Sequence, residues 1–224
     1  MNSLRKYSLA GGIFYLLTFV SIPTLALYKS VRGPNFLTSS APDTPVIIGV
    51  LLEMIVALAN IGTAVALYPV VKRVGQARAM GFVASRTLEA ATMYVGIVSL
   101  MSIVSLHQSG AGASALGAAQ GLAAQYQYTF FFAQSFIPAV NGVLLGSLLY
   151  QSRLVPRWLP TLGLIGAVLL VVAWFGVLTG MIKAISPAAA VATLPIAVWE
   201  FSLGVYLTFF GFRPTPITSG LSGD

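Results

Sequence analysis

Six apolar stretches of about twenty residues or more leave this chain few ways to fold. They run roughly over 8–28, 45–71, 80–106, 125–150, 158–182 and 188–211. Inside a bilayer a backbone must satisfy its own polar groups, and each stretch is long enough to do so as one spanning helix. Composition agrees: 57% of the residues are hydrophobic, 8% are charged, and the mean hydropathy is +0.89. The expected fold is all-α, a polytopic bundle of six transmembrane helices. Residues 1–213 form its single integral membrane domain, and 214–224 read as a flexible C-terminal tail.

Charge sets the orientation. With the amino terminus inside, the inner segments hold Arg5, Lys6, Lys72, Arg73, Arg78, Arg153, Arg157 and Arg213, and the outer ones only Lys29, Arg32 and Lys183. That asymmetry satisfies the positive-inside rule, placing both termini inside a multi-pass protein of the cell membrane. It also accounts for most of the net charge of +7, so no nucleic-acid partner is expected and the bilayer is the principal surroundings. The first stretch, SLAGGIFYLLTFVSIPTLALY, is long for a signal peptide and has no convincing cleavage site; it reads as a retained helix.

The chain has no cysteine and one histidine. Thiolate chemistry and Cys-based metal sites are therefore excluded, and His107 reads as a solvated loop residue rather than a ligand. No P-loop, GxSxG or dinucleotide fingerprint is present, and no lysine occupies the middle of a late span. Neither a metal nor a cofactor is expected.

What stands out is where the acids are. All three glutamates, Glu53, Glu89 and Glu200, lie inside apolar stretches, where an ionisable group is costly and commonly functional. A helical rise of ~1.5 Å per residue puts Glu53 ~12 Å and Asn60 ~22 Å from the outer face, and Arg86 ~9 Å and Glu89 ~14 Å from the inner one. Gln134, Asn141 and Glu200 fall ~13, ~24 and ~18 Å from the outside on the same reckoning. Glu53 and Glu89 are thus expected near one level, Asn60 and Arg86 near another. Glu53 and Asn60 are seven apart, as are Gln134 and Asn141, so each pair shares a helix face. Arg86 and Glu89, three apart, can touch.

At these positions the chain resembles a bacterial polytopic membrane family catalogued as a domain of unknown function. The resemblance rests on LLEMIVALANIGTAVALYPVVKR, SRTLEA, SRLVPRWLPTLGLIGA and the late glutamate before GVYLTFFGFRP, and runs from Gly11 to Arg213. It implies six or seven membrane helices and no established activity. The matching positions are Glu53, Asn60, Arg86, Glu89, Asn141, Pro156 and Glu200.

One arginine cannot neutralise three carboxyls, and the surplus supports two classes of function. In one, Glu53, Glu89 and Glu200 perform acid–base chemistry on, or bind, a small lipophilic and isoprenoid-like molecule, as in a membrane cyclase or isomerase. Asn60, Arg86, Gln134 and Asn141 would bind it, with Tyr94 and Trp199 among the aromatic groups able to line its cavity. In the other, the glutamates relay protons or cations in a small-solute transporter or sensor, with Pro23, Pro138 and Pro195 breaking the helices. A third reading is a polar network that only clamps the bundle.

Overall fold

A computed structural model describes residues 2–183 and 186–221. Every regular element among them is helical, and six helices are long and apolar enough to cross a membrane. The first crossing is α1 (Ser3–Leu17), a tight turn over Thr18–Ser21, and the short α2 (Thr24–Leu27). The break falls where Pro23 cannot continue the hydrogen-bond ladder. Next come α3 (Thr44–Val71) and α4 (Gln76–Gln108), joined by a short turn through Gly75. The fourth crossing combines α5 (Leu116–Phe131), a π-helical turn over Phe132–Phe136 and α6 (Ile137–Ser152). The last two are α7 (Trp158–Leu178) and α8 (Pro187–Phe209), the latter capped by the Ser186 side chain.

Two boundaries differ from expectation. The segment between the apolar stretches 80–106 and 125–150, which belongs to neither, is largely helical, because its alanines favour helix and α5 packs along α4. His107 itself is not a solvated loop residue. Its Nδ1 lies 2.8 Å from Asp43 Oδ1 and its Nε2 3.0 Å from the Ser39 carbonyl, so it ties the end of α4 to the loop before α3. The segment after Arg213 turns back on the bundle: Arg73 donates to the Ile217 carbonyl at 3.3 Å, and Thr218 is buried.

The six crossings close into a ring, α1 beside α3, then α4, α6, α7, α8 and α1 again. Small residues draw the ring shut. A methyl group added at Gly166 would come within 2.6 Å of the Ile196 backbone nitrogen, and one at Gly12 within 2.6 Å of that of Thr208. Arg5 fastens the same seam, donating to the Leu207 and Thr208 carbonyls at 2.9 and 2.6 Å where α8 ends and its carbonyls lack partners.

The two ends of the ring are filled differently. The basic end, with the amino terminus and the α3–α4 and α6–α7 turns, has one continuous core including Leu67, Phe82, Leu148, Trp199 and Leu203. At the opposite end, here the loop end, the core joins only α2 to α5 and the intervening loop, through residues such as Val31, Phe36, Val50, Leu100 and Tyr126. The outer faces carry exposed Leu51, Leu58, Leu88, Val98, Val168 and Val172, the perimeter expected where a bundle meets lipid. Since the backbone of Ile196 cannot yield as a flexible side chain would, Gly166→Ala should lower stability by about 1–3 kcal/mol, read as a reduced unfolding midpoint in detergent.

Candidate functional site

Arg86 is 1% exposed and sits where four helices meet. Its Nη1 donates to Asn60 Oδ1 on α3 at 2.9 Å and to Glu89 Oε2, one turn along α4, at 3.1 Å. Its Nη2 donates to Glu200 Oε1 on α8 at 2.6 Å. Asn141 of α6 donates through Nδ2 to Glu89 Oε2 at 2.6 Å. The guanidinium carbon lies 5.1 Å from the Tyr15 ring centre on α1 and 5.7 Å from that of Phe82, so two aromatic rings also flank the cation.

Each partner is there because of the turn that precedes or follows it. Asn60 stands eleven residues before Val71 and Arg86 ten after Gln76, so across the short turn the two reach the same depth. Glu53, eighteen residues before Val71, lies about five residues, or ~7.5 Å, further from that turn than Glu89, which is thirteen past Gln76. The expectation that Glu53 and Glu89 share a level took register from the ends of apolar stretches. The connecting turn fixes it instead.

Glu53 accordingly belongs to a second cluster. It is buried and accepts the Tyr126 hydroxyl at 2.7 Å, while Arg32 stands over the Tyr28 and Tyr126 rings with centroid distances of 5.9 and 5.6 Å. The structure therefore unites Glu89 and Glu200 with Arg86, Asn60 and Asn141, and leaves Glu53 apart. Gln134 lines the cavity described below. Tyr94 is half-buried against the apolar cores of the outer half, and Trp199 is wholly buried edge-on to Tyr15, 6.4 Å between ring centres. Both aromatic residues are packing groups. Tyr15 and Tyr126 escaped sequence reasoning; the only signal either gave was a phenol inside an apolar span, which needs a polar neighbour.

Above the cluster lies a cavity of about 1410 Å³. Asn60, Arg86, Glu89 and Glu200 line its deep end, while Phe131, Trp174 and Leu194 are among the apolar groups higher up. It occupies the gap left because the loop-end core does not extend to α7 and α8. The two acids face it unequally. The Glu89 side chain is 4% exposed and takes hydrogen bonds from Arg86 and Asn141; that of Glu200 is 15% exposed and accepts from Arg86 through Oε1. Glu200 Oε2 has no partner among the described residues. No group of three or more His, Cys, Asp or Glu suited to a metal occurs among them.

Removing one member of a buried ion pair strands its partners, typically at about 3–5 kcal/mol, whereas replacing the whole group by apolar residues is often neutral. Arg86→Met should thus destabilise by about that amount, and adding Glu89→Leu and Glu200→Leu should recover much of the loss, as denaturant titration of the single and triple variants in detergent would show.

No curated protein and no solved structure matches the chain. A family model described as "Domain of unknown function (DUF4386)" matches residues 10–211, which take in all six crossings apart from the part of α1 before residue 10. The chain belongs to the DUF4386 family.

Proposed function

We propose that this membrane bundle binds a small, largely apolar molecule in the loop-end cavity and presents Glu200 to the polar group of that molecule. The observation that carries this reading is the distribution of polarity. Three of the four charged lining groups, Arg86, Glu89 and Glu200, gather at the deep end of an otherwise mostly apolar cavity, while Arg32 stands with the Glu53 cluster; such an arrangement fixes one end of a ligand by hydrogen bonds and buries the rest.

Glu200 is the group suited to acid–base work. Its Oε1 is held by Arg86, its other oxygen is uncommitted, and its side chain lines the cavity. A carboxyl so placed can give a proton to a hydroxyl, epoxide or alkene of an isoprenoid-like molecule, or take one away. Glu89 is the less exposed acid, and its Oε2 takes the hydrogen bonds of both Arg86 and Asn141. This narrows the acid–base role to one glutamate of the three.

A pure clamp is the weaker reading, because a clamp gains nothing from 1410 Å³ of space above it. Transport is also less well supported. Toward the basic end the cluster rests on the continuous core of Leu67, Phe82, Leu145, Leu148 and Leu203, which closes the cavity in that direction.

Farnesol, a small isoprenoid alcohol, tests the reading with full-length protein in phosphatidylcholine nanodiscs. It should raise the unfolding temperature of the wild type in a saturable way, and Ala197→Trp, which fills the cavity beside Glu200, should abolish the shift. Glu200→Ala should weaken binding about tenfold, the worth of one good hydrogen bond to a charged group. Equal shifts in wild type and Ala197→Trp would sink the proposal.

A further inference from the structure

We infer that the cavity selects cations, and that its preferred ligands are lipophilic amines, quaternary ammonium or phosphonium ions rather than acids or neutral alcohols. This deepens the binding reading above and rests on it.

Three independent features converge. The first is charge balance. Arg86 is the only basic side chain within ion-pair distance of Glu89 or Glu200 among the described residues, so one guanidinium faces two carboxyls. A proton on one carboxyl or a second positive charge would complete the set, and a cationic ligand entering the cavity supplies the latter. The second is geometry. Glu89 and Glu200 each keep one oxygen outside the hydrogen bonds to Arg86 and Asn141, and it is the Glu200 side chain, 15% exposed against 4%, that opens more to the cavity. The surplus charge is therefore presented to the ligand and not hidden behind it.

The third is the wall. Trp174 stands in the lining with Phe131 beside it, ring centres 6.1 Å apart and planes within 10°, and Phe130 and Tyr126 line it as well. Such π-faces attract an organic cation by about 0.5–2 kcal/mol each once it is desolvated, and offer nothing comparable to an anion. Arg32 lines the cavity too, beside Tyr126, but it stands with the Glu53 cluster, away from the two unequally compensated acids.

Probes of one shape and different charge isolate this property. Tetraphenylphosphonium and tetraphenylborate are near-isosteric ions of opposite sign, and triphenylmethanol is a neutral comparator. Binding to full-length protein in phosphatidylcholine nanodiscs is measured by equilibrium dialysis, with empty nanodiscs subtracted. The phosphonium should bind saturably and at least about tenfold more tightly than either other probe, the scale of one uncompensated buried charge. Glu200→Gln should erase most of that preference. Tetraphenylborate or triphenylmethanol binding as tightly as the phosphonium would overturn cation selection while leaving a lipophile-binding cavity intact. So would an unchanged preference in Glu200→Gln. If Glu200→Gln does not yield folded protein, the wild-type ranking decides alone, and loss of all saturable binding, farnesol included, would remove the binding reading as well.

Discussion

The Arg86 guanidinium organises the membrane half of this protein that is otherwise filled with apolar side chains. Helices α3 and α8 each bring an oxygen to it, α6 brings the Asn141 amide nitrogen to its partner Glu89, and α1 brings the Tyr15 ring. In a bilayer such a group has no solvent to fall back on, so each of its contacts must be made by a particular helix at a particular depth. That requirement specifies the ring more sharply than apolar packing does, because leucines and valines tolerate sliding by a residue and a buried ion pair does not. The close seams at Gly12 and Gly166 then act on a register already chosen.

Filling the ring at one end and not the other follows from how the chain crosses. At the basic end the turns are short and all six crossings contribute to one core. At the loop end, α4 and α5 pair with each other and with the segment around Phe36, fastened by His107 on Asp43. These contacts draw one side of the bundle together. The outer halves of α7 and α8 are left facing it across open space, and the π-helical turn over Phe132–Phe136 stands at that border with Trp174. The cavity is therefore a consequence of topology, and it opens onto the charged layer because that layer marks where continuous packing ends.

Much of this was legible from the residues. Six apolar runs gave six crossings, and a helical rise picked out seven polar side chains, of which Asn60, Arg86, Glu89, Asn141 and Glu200 meet while Glu53 and Gln134 stand apart. Glu53 escaped the same reckoning because depth was counted from the edges of apolar runs, and α3 and α4 extend past those edges. Counting from the turn at Gly75 corrects it. Tyr126 was not legible, since its bond to Glu53 joins residues 73 apart with no periodicity to relate them. The helical character of residues 116–124 was concealed for another reason. Small residues read as loop when weighed by Gly and Ser content, yet alanine is the strongest helix former once a neighbouring helix offers a surface.

The separation of Glu53 from the other two acids changes what the site can be. Three carboxyls around one arginine would carry a surplus too large to hold in hydrocarbon without several protons or ions. Two carboxyls leave a surplus of one, and the structure assigns it to the acid that faces open space. Glu53 is stabilised locally by the Tyr126 hydroxyl, with Arg32 over the adjoining rings, so it needs nothing from the Arg86 cluster. A packing device would be expected to be shielded from the cavity, as the 4% exposed Glu89 side chain, with Arg86 and Asn141 both on its Oε2, nearly is. The Glu200 side chain is the more open of the two, and a carboxyl so placed at the base of a mostly apolar cavity is what supports the binding reading.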